Sequence, residues 1–205
     1  MTLILNSEEI KQCVKFNAEL IPIIEDAFKS LSLGKTVMPP ILRLDIEKFH
    51  GESDVKAAYI EGLDSFAVKV ASGFFNNPKL GLPSSKGLMI LLDSQTGVIK
   101  SVLLDKGYLT DVRTAIAGAI ASKYLSNPDS STVAIIGTGI QARMQLEALS
   151  LVRDIKNVNV WSRDIKKTHA YIEDVSKNIN KNFTAFDNTN EVVKNADILI
   201  TATPS

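Results

Sequence analysis

The sequence predicts an α/β chain in two parts: an N-terminal α+β region, then a parallel, doubly wound sheet. Three observations carry the prediction. An apolar run at 132–136, Thr-Val-Ala-Ile-Ile, leads through Gly137, Thr138 and Gly139 straight into a helical pattern. After Ser131 strand and helix patterns alternate, whereas 41–104 reads as strand after strand. Hydrophobic residues make up 45% of the 205, enough for a sizeable core.

Each element has its own justification. Asn6-Ser7-Glu8-Glu9 offers a capping start for a short helix. Asn17 offers one for a longer helix over 18–33, where Leu20, Ile24, Ala27, Phe28 and Leu31 recur at helical spacing. Gly34 stops it. After Pro39-Pro40, strands are expected at 41–45, 55–60, 65–72, 87–93 and 98–104, the last two joined by the turn Ser94-Gln95-Thr96-Gly97. A helix over 108–125 carries Ala115, Ala117, Gly118, Ala119 and Ala121, a face suited to close packing. The polar, turn-rich run 127–131 marks a domain boundary, giving domains at 1–128 and 129–205. Beyond it, strands at 132–136, 158–161, 183–186 and 198–202 alternate with helices at 140–152, 165–177 and 190–194. A full dinucleotide fold has about six strands. The reading is therefore the first half of a Rossmann domain on a C-terminally truncated chain.

Composition narrows the function classes. With 23 basic and 23 acidic residues there is no basic surplus to recruit nucleic acid. The N-terminus lacks the basic region and apolar core of a signal peptide, and no apolar run approaches the length of a membrane span. A single cysteine, Cys13, cannot form an internal disulfide, so a reducing cytoplasm is expected, with Cys13 as a buried small hydrophobe. His50 and His169 read as surface residues; far from each other and from Cys13, they predict no metal site.

Chemistry enters at the glycine turn. Gly137, Gly139 and Ala142 occupy the small-residue positions of the G-x-G-x-x-A dinucleotide fingerprint. Gly137 permits the tight turn, Gly139 lets the backbone approach a pyrophosphate, and Ala142 keeps the helix close to the sheet. Free N–H groups at the helix start, across Thr138, Ile140 and Gln141, face the anion. At the end of the second Rossmann strand an NAD protein places a carboxylate for the ribose 2′-OH. Here stand Ser162 and Arg163, a hydroxyl and a guanidinium suited to a 2′-phosphate. NADP(H) is the expected cofactor, with NAD(H) the alternative if Asp164 takes that position. The run 81–86 makes no P-loop, because no Gly-Lys-Ser/Thr follows at the required spacing. Asp105 and Asp111 read as helix-flanking residues.

Three ordered motifs carry a family resemblance: Lys69-Val-Ala-Ser-Gly-Phe-Phe running on to Gly87, Tyr108-Leu-Thr-Asp-Val-Arg-Thr-Ala, and Gly137-Thr-Gly-Ile-Gln-Ala-Arg. Together they resemble the ornithine cyclodeaminase/mu-crystallin family over essentially the whole chain. The resemblance implies an N-terminal substrate and dimerisation domain, a nicotinamide-binding domain and a homodimer. The family's returning C-terminal segment, and an aspartate it places near the reacting carbon, fall outside these 205 residues. It implies hydride transfer at the α-carbon of an amino acid through a C=N imine, with small imino or amino acids as substrates.

The resemblance also implies roles. Lys69 sits on an otherwise apolar strand and by pattern alone reads as a solvated lysine; the family's motif lysine falls on it, for the substrate carboxylate and for proton delivery at the imine nitrogen. A desolvated lysine can lower its pKa enough for that work. Arg43 matches the family's carboxylate-binding arginine, its planar fork suiting bidentate recognition, against the plainer reading of a surface salt bridge. Arg113 would contact cofactor phosphate or substrate carboxylate, or be a helix-surface charge. Ser84 would touch the cofactor, with Ser85 the alternative, and Thr201, Ala202 and Thr203 would run along the nicotinamide ribose. Where cyclodeaminases carry a glutamate before the motif lysine, this chain has Lys56, which would repel an ornithine ammonium; Glu52 or Asp54 could still serve. The expected function is NAD(P)H-dependent reduction of a cyclic imino acid, Δ1-pyrroline-2-carboxylate to L-proline. The alternatives are a cyclodeaminase, an amino-acid dehydrogenase, an ectoine-pathway relative, a mu-crystallin-like protein binding NADPH and a small ligand, or an inactive fragment.

Overall fold

The computed structural model describes residues 1–203. It divides into two compact units, Met1–Phe16 with Glu25–Thr110, and Asn17–Ile24 with the chain from Asp111 onward. The first unit holds strands β1 (Leu3–Asn6), β2 (Thr36–Val37), β3 (Leu42–Ile46), β4 (Gly51–Ile60), β5 (Ser65–Phe74), β6 (Ser85–Asp93) and β7 (Ile99–Leu104). They form one seven-stranded sheet in the order β1-β7-β6-β5-β4-β2, with β3 also paired to β4. β1 runs parallel to β7 and the other pairs are antiparallel. The expected β6–β7 hairpin forms because Asp93 Oδ1 accepts from the Gln95 and Thr96 N–H groups and the Thr96 hydroxyl. Those bonds, the Thr96 hydroxyl first, hold the Asp93 carboxyl down at about 2. Gly97 supplies the left-handed φ of 69° that closes the turn.

Helix α1 (Ser7–Cys13) starts on a full capping box: Asn6 accepts from the Glu8 and Glu9 N–H groups, and Glu9 reaches back to the Asn6 N–H. Its inward residues are Ser7 and Ile10, and Val14 is half-buried beyond them. Cys13 is exposed, which corrects the expectation of a buried cysteine. Helix α2 (Leu20–Ser32) begins after a turn in which Asn17 Oδ1 accepts from the Glu19 N–H, and Gly34 follows it at φ 70°.

In the second unit the strands β8 (Thr132–Ile136), β9 (Asn157–Trp161), β10 (Asn182–Ala185) and β11 (Ile198–Thr201) form a wholly parallel sheet in the order β10-β9-β8-β11. This is the 3-2-1-4 order of a doubly wound nucleotide-type sheet. Helices α4 (Ile140–Ser150), α5 (Ile165–Val175) and α6 (Thr189–Val193) make the crossovers. Val133, Ile135, Val158 and Val160 pack with Ala142, Leu146, Leu149 and Tyr171 into one core, all essentially without solvent contact.

Helix α3 (Tyr108–Leu125) gives this unit Val112, Ala115, Ile116, Ala119 and Ile120 as buried side chains. A Cβ at Gly118 would come 2.6 Å from Gln145 Oε1, so the Gln145 side chain of α4 fills the space over this glycine. Arg153 then gathers the carbonyls of Ser122, Lys123 and Ser126 at the far end of α3. In sequence the last crossing between the compact units falls at Thr110/Asp111, inside α3.

A candidate dinucleotide turn and a charged sheet face

The glycine turn is held at the carboxyl ends of three strands. The Gly137 N–H donates to the Trp161 carbonyl at the end of β9, and the Ala202 N–H donates to the Ile136 carbonyl at the end of β8, each at 2.8 Å. Gly137 has φ 118°, and a Cβ there would overlap the Ala202 carbonyl, so this position is closed to every other residue. Gly139 is different. It caps α4 with ordinary extended angles, φ −79° and ψ −171°, and a Cβ there would meet nothing within 4 Å. The missing side chain leaves open space in front of the helix start. Among the described residues the N–H groups of Gly139, Ile140 and Gln141 have no acceptor. Ala142 is fully buried, and its carbonyl accepts from the Tyr171 hydroxyl at 3.0 Å. A cradle kept empty by glycine and lined with unpaired donors fits a pyrophosphate.

Three residues outside the G-x-G-x-x-A fingerprint complete the turn: Arg143, Asp174 and Tyr171. Arg143 Nη1 donates to the Thr138 carbonyl at 2.5 Å and to the Gly139 carbonyl at 3.4 Å. Its Nε donates to Asp174 at 3.2 Å, and its guanidinium lies 4.8 Å from the centre of the Tyr171 ring. Burial pushes the Tyr171 hydroxyl well above the usual phenol range, so it stays a proton donor. The only sequence trace of this support is the Tyr-x-x-Asp spacing on α5, which puts ring and carboxylate on one helix face.

At the end of β9, Ser162 donates its hydroxyl to the Asp164 carbonyl and also meets the Thr168 hydroxyl, both at 2.9 Å. Asp164 caps α5 by accepting from the Lys166 N–H. Arg163 is exposed and, among the described residues, has no ion-pair partner. Of the sequence-predicted site residues, Gly137 to Ala142, Ser162, Arg163, Thr201, Ala202 and Thr203 gather at this one edge of the parallel sheet, Thr201 and Thr203 exposed. Arg113 is exposed on α3 of the same unit.

The first unit presents a charged sheet face. Register places Arg43 opposite Asp54, Asp45 opposite Glu52, and Lys56 opposite Lys69, so all six project from one side of β3, β4 and β5. Arg43 donates through Nε to Asp45 at 2.9 Å and through Nη2 to Glu52 at 2.5 Å. The bond to Asp45, then the charges of Asp45 and Glu52, raise its already high pKa. Lys56 Nζ donates to Asp54 Oδ2 at 2.8 Å. That bond holds the Asp54 carboxyl below the usual range against its partial desolvation, with Arg43 and Lys69 adding to the effect. Asp54 Oδ1 is buried with no hydrogen-bond partner. Two like charges directly opposite on neighbouring strands are unfavourable, and Asp54 offsets the Lys56–Lys69 pair. Arg43 and Lys69 therefore share a face, with Arg43 already in the surface ion pairs of its plainer reading. Ser84 lies exposed before β6, its carbonyl accepting from the Phe74 N–H at 2.7 Å.

The parallel sheet and its turn define the dinucleotide-binding class of α/β proteins. The particular family follows from comparison. Residues 1–205 match the ornithine cyclodeaminase/mu-crystallin family, and the chain belongs to it. An uncharacterised cyclodeaminase of Sinorhizobium fredii is 49% identical over 203 residues, 98% of this chain and 61% of that protein. The structure of Thermococcus litoralis Δ1-pyrroline-2-carboxylate reductase, in complex with NADH and L-proline, superposes with a TM-score of 0.92 at 33% identity, over 98% of this chain and 62% of that one. An archaeal alanine dehydrogenase dimer with bound NAD gives 0.90 at 33% identity, over 100% of this chain and 61% of that one. The chain thus spans about three fifths of the length of the relatives it matches.

Proposed function

We propose that this protein is an NAD(P)H-dependent reductase of a cyclic imino acid, with Δ1-pyrroline-2-carboxylate reduced to L-proline. The observation that carries the reading is the cation pair Lys56–Lys69 in register on the charged sheet face, beside Arg43. It supports recognition of a carboxylate. The likeness to the Thermococcus reductase with NADH and L-proline supports the same substrate class.

In this reading Arg43 and Lys69 bind the substrate carboxylate, and Lys69 supplies the proton that the ring nitrogen takes up as the C=N bond is reduced. Ser84 and Arg113 contact the cofactor, Arg113 with the carboxylate as its other target. Gly139, Ile140 and Gln141 give their N–H groups to the pyrophosphate, and Thr201 to Thr203 lie along the nicotinamide ribose. A bound nicotinamide supplies the hydride. The Ser162 hydroxyl donates its hydrogen bond to the Asp164 carbonyl, so Arg163 is the group left for a 2′-phosphate, which supports NADP(H) over NAD(H). The domain carrying the charged face also forms a homodimer, in a reducing cytoplasm. A cyclodeaminase is the second reading, favoured by the Sinorhizobium fredii relative.

The test mixes the protein with NADPH or NADH and Δ1-pyrroline-2-carboxylate, Δ1-piperideine-2-carboxylate, or pyruvate with ammonia, following the nicotinamide absorbance; ornithine with NAD is assayed separately for ammonia. Oxidation of NADPH with pyrroline-2-carboxylate is expected. Ammonia from ornithine without net NADH overturns the reading, and cofactor binding with no turnover of any imine points to a binding protein.

A further inference from the structure

We infer that Arg143 is a positioning residue for the pyrophosphate, acting from behind the glycine turn by fixing two peptide planes; the inference rests on the dinucleotide reading above. The peptide unit is planar and trans, so the C=O of one residue and the N–H of the next point in opposite directions. Arg143 Nη1 draws the Thr138 carbonyl to itself at 2.5 Å, which turns the Gly139 N–H away from the guanidinium. The same Nη1 reaches the Gly139 carbonyl at 3.4 Å, beside the main-chain bond that carbonyl accepts from the Arg143 N–H at 3.4 Å, and the two together turn the Ile140 N–H away in the same manner. Both N–H groups are without acceptors among the described residues, and the space at Gly139 is open. The cation thus aligns two dipoles with their positive ends toward the anion site without entering it.

The guanidinium is itself held. Asp174 takes Nε at 3.2 Å, and the Tyr171 ring lies under it with the centroid 4.8 Å away. Tyr171 is fully buried and also fixes the Ala142 carbonyl in the first turn of α4. One side chain of α5 therefore anchors both the arginine and the helix whose N-terminus it prepares. Glycine confers freedom on a turn; Arg143 removes the freedom that would let these peptides rotate.

The test compares wild type with Arg143→Met, which keeps the stem, and Arg143→Lys, which keeps the charge. Dissociation constants are measured by fluorescence for NADPH, NADH and adenosine 2′-phosphate, the last lacking a pyrophosphate, with urea unfolding as the check on folding. Arg143→Met is expected to weaken NADPH and NADH equally, by about tenfold, and to leave adenosine 2′-phosphate unchanged. Arg143→Lys should recover part of the loss. In the ligand-free protein the Gly139 and Ile140 amide resonances should move and exchange faster in Arg143→Met. Unchanged dinucleotide affinity in a folded Arg143→Met overturns the inference, as does equal weakening of all three ligands. Failure of wild type to bind any dinucleotide overturns the underlying reading, and this inference with it.

Discussion

Gln141 Nε2 donates to Asp111 twice, to the carboxylate Oδ1 at 2.9 Å and to the main-chain carbonyl at 3.3 Å, and so ties the first turn of α4 to α3. Gln141 Oε1, on the same amide, is buried without a partner. The two ends of the contact should therefore respond unequally. Asp111→Ala leaves the partly buried amide only its longer bond to the main-chain carbonyl and is expected to cost about 1 kcal/mol in urea unfolding. Gln141→Leu removes the stranded oxygen along with the donor and should cost less. A larger loss for Gln141→Leu would show that the amide is a net gain despite its orphan oxygen.

The two glycines of the turn make separable predictions. At Gly137 any side chain meets the Ala202 carbonyl on a backbone of φ 118°, so Gly137→Ala should destabilise the protein by roughly 2 kcal/mol or more. At Gly139 the backbone is ordinary and the space is open, so Gly139→Ala should leave the unfolding midpoint within about 0.5 kcal/mol of wild type. Its effect belongs to the ligand: NADPH affinity should fall while the fold stands. Equal stability losses at both positions would contradict this division of labour.

The second unit was the more legible in the sequence, and the reason is local. From Thr132 to Thr201 the strand and helix patterns are short, alternate and are punctuated by caps such as Asp164 and Asn188, so each observed boundary lies within two residues of the reading. β1 was invisible because its partner is β7, with Leu3 opposite Ser101; four residues ahead of a cap carry no periodicity that announces so distant a pairing. Residue type alone does not place Cys13, because helix phase decides: Ser7 and Ile10 face inward on α1 and Cys13 does not. In the turn, Gly137 and Ala142 showed in the motif. Arg143 closes the quoted family motif, but its role does not show there, because it binds backbone carbonyls and a ring on α5.

Tyr171 gives a pH prediction. Its hydroxyl is buried and donates to Ala142, and burial raises its pKa above the unfolded value of about 10. A raised acid favours the protonated native state, so this contribution is full below about pH 10 and is lost as pH rises through the folded value. Tyr171→Phe should cost about 1 kcal/mol at neutral pH and should remove the fall in stability above about pH 10. Urea midpoints on both sides of that pH decide it; a Phe variant that loses stability there as steeply as wild type places the effect elsewhere.

Asp197 gives the opposite sign. Its Oδ2 accepts from the Ser131 and Thr132 N–H groups, both at 2.8 Å, pinning the start of β8. Those two bonds, Ser131 first, hold its pKa below the usual carboxylate value. Its stabilisation is complete above an unfolded pKa of about 4 and fades as pH falls through the lowered folded value. Asp197→Ala should be less stable than wild type at neutral pH, and the gap should narrow below about pH 4 in thermal unfolding. A gap independent of pH would mean that the carboxylate charge contributes nothing.

The proposed preference for NADP(H) turns on Arg163. It is exposed, and among the described residues unpaired, two residues past the end of β9, while the neighbouring Ser162 hydroxyl is committed to Asp164 and Thr168. If a 2′-phosphate is read here, the guanidinium reads it by charge-assisted hydrogen bonds. Arg163→Ala should then raise the NADPH dissociation constant by about tenfold at low salt and leave NADH within about twofold. Because the site is exposed, the NADPH advantage of wild type should shrink as ionic strength rises. The same loss for both cofactors would return the choice to NAD(H), with Asp164 giving up its cap on α5 to accept the ribose hydroxyls.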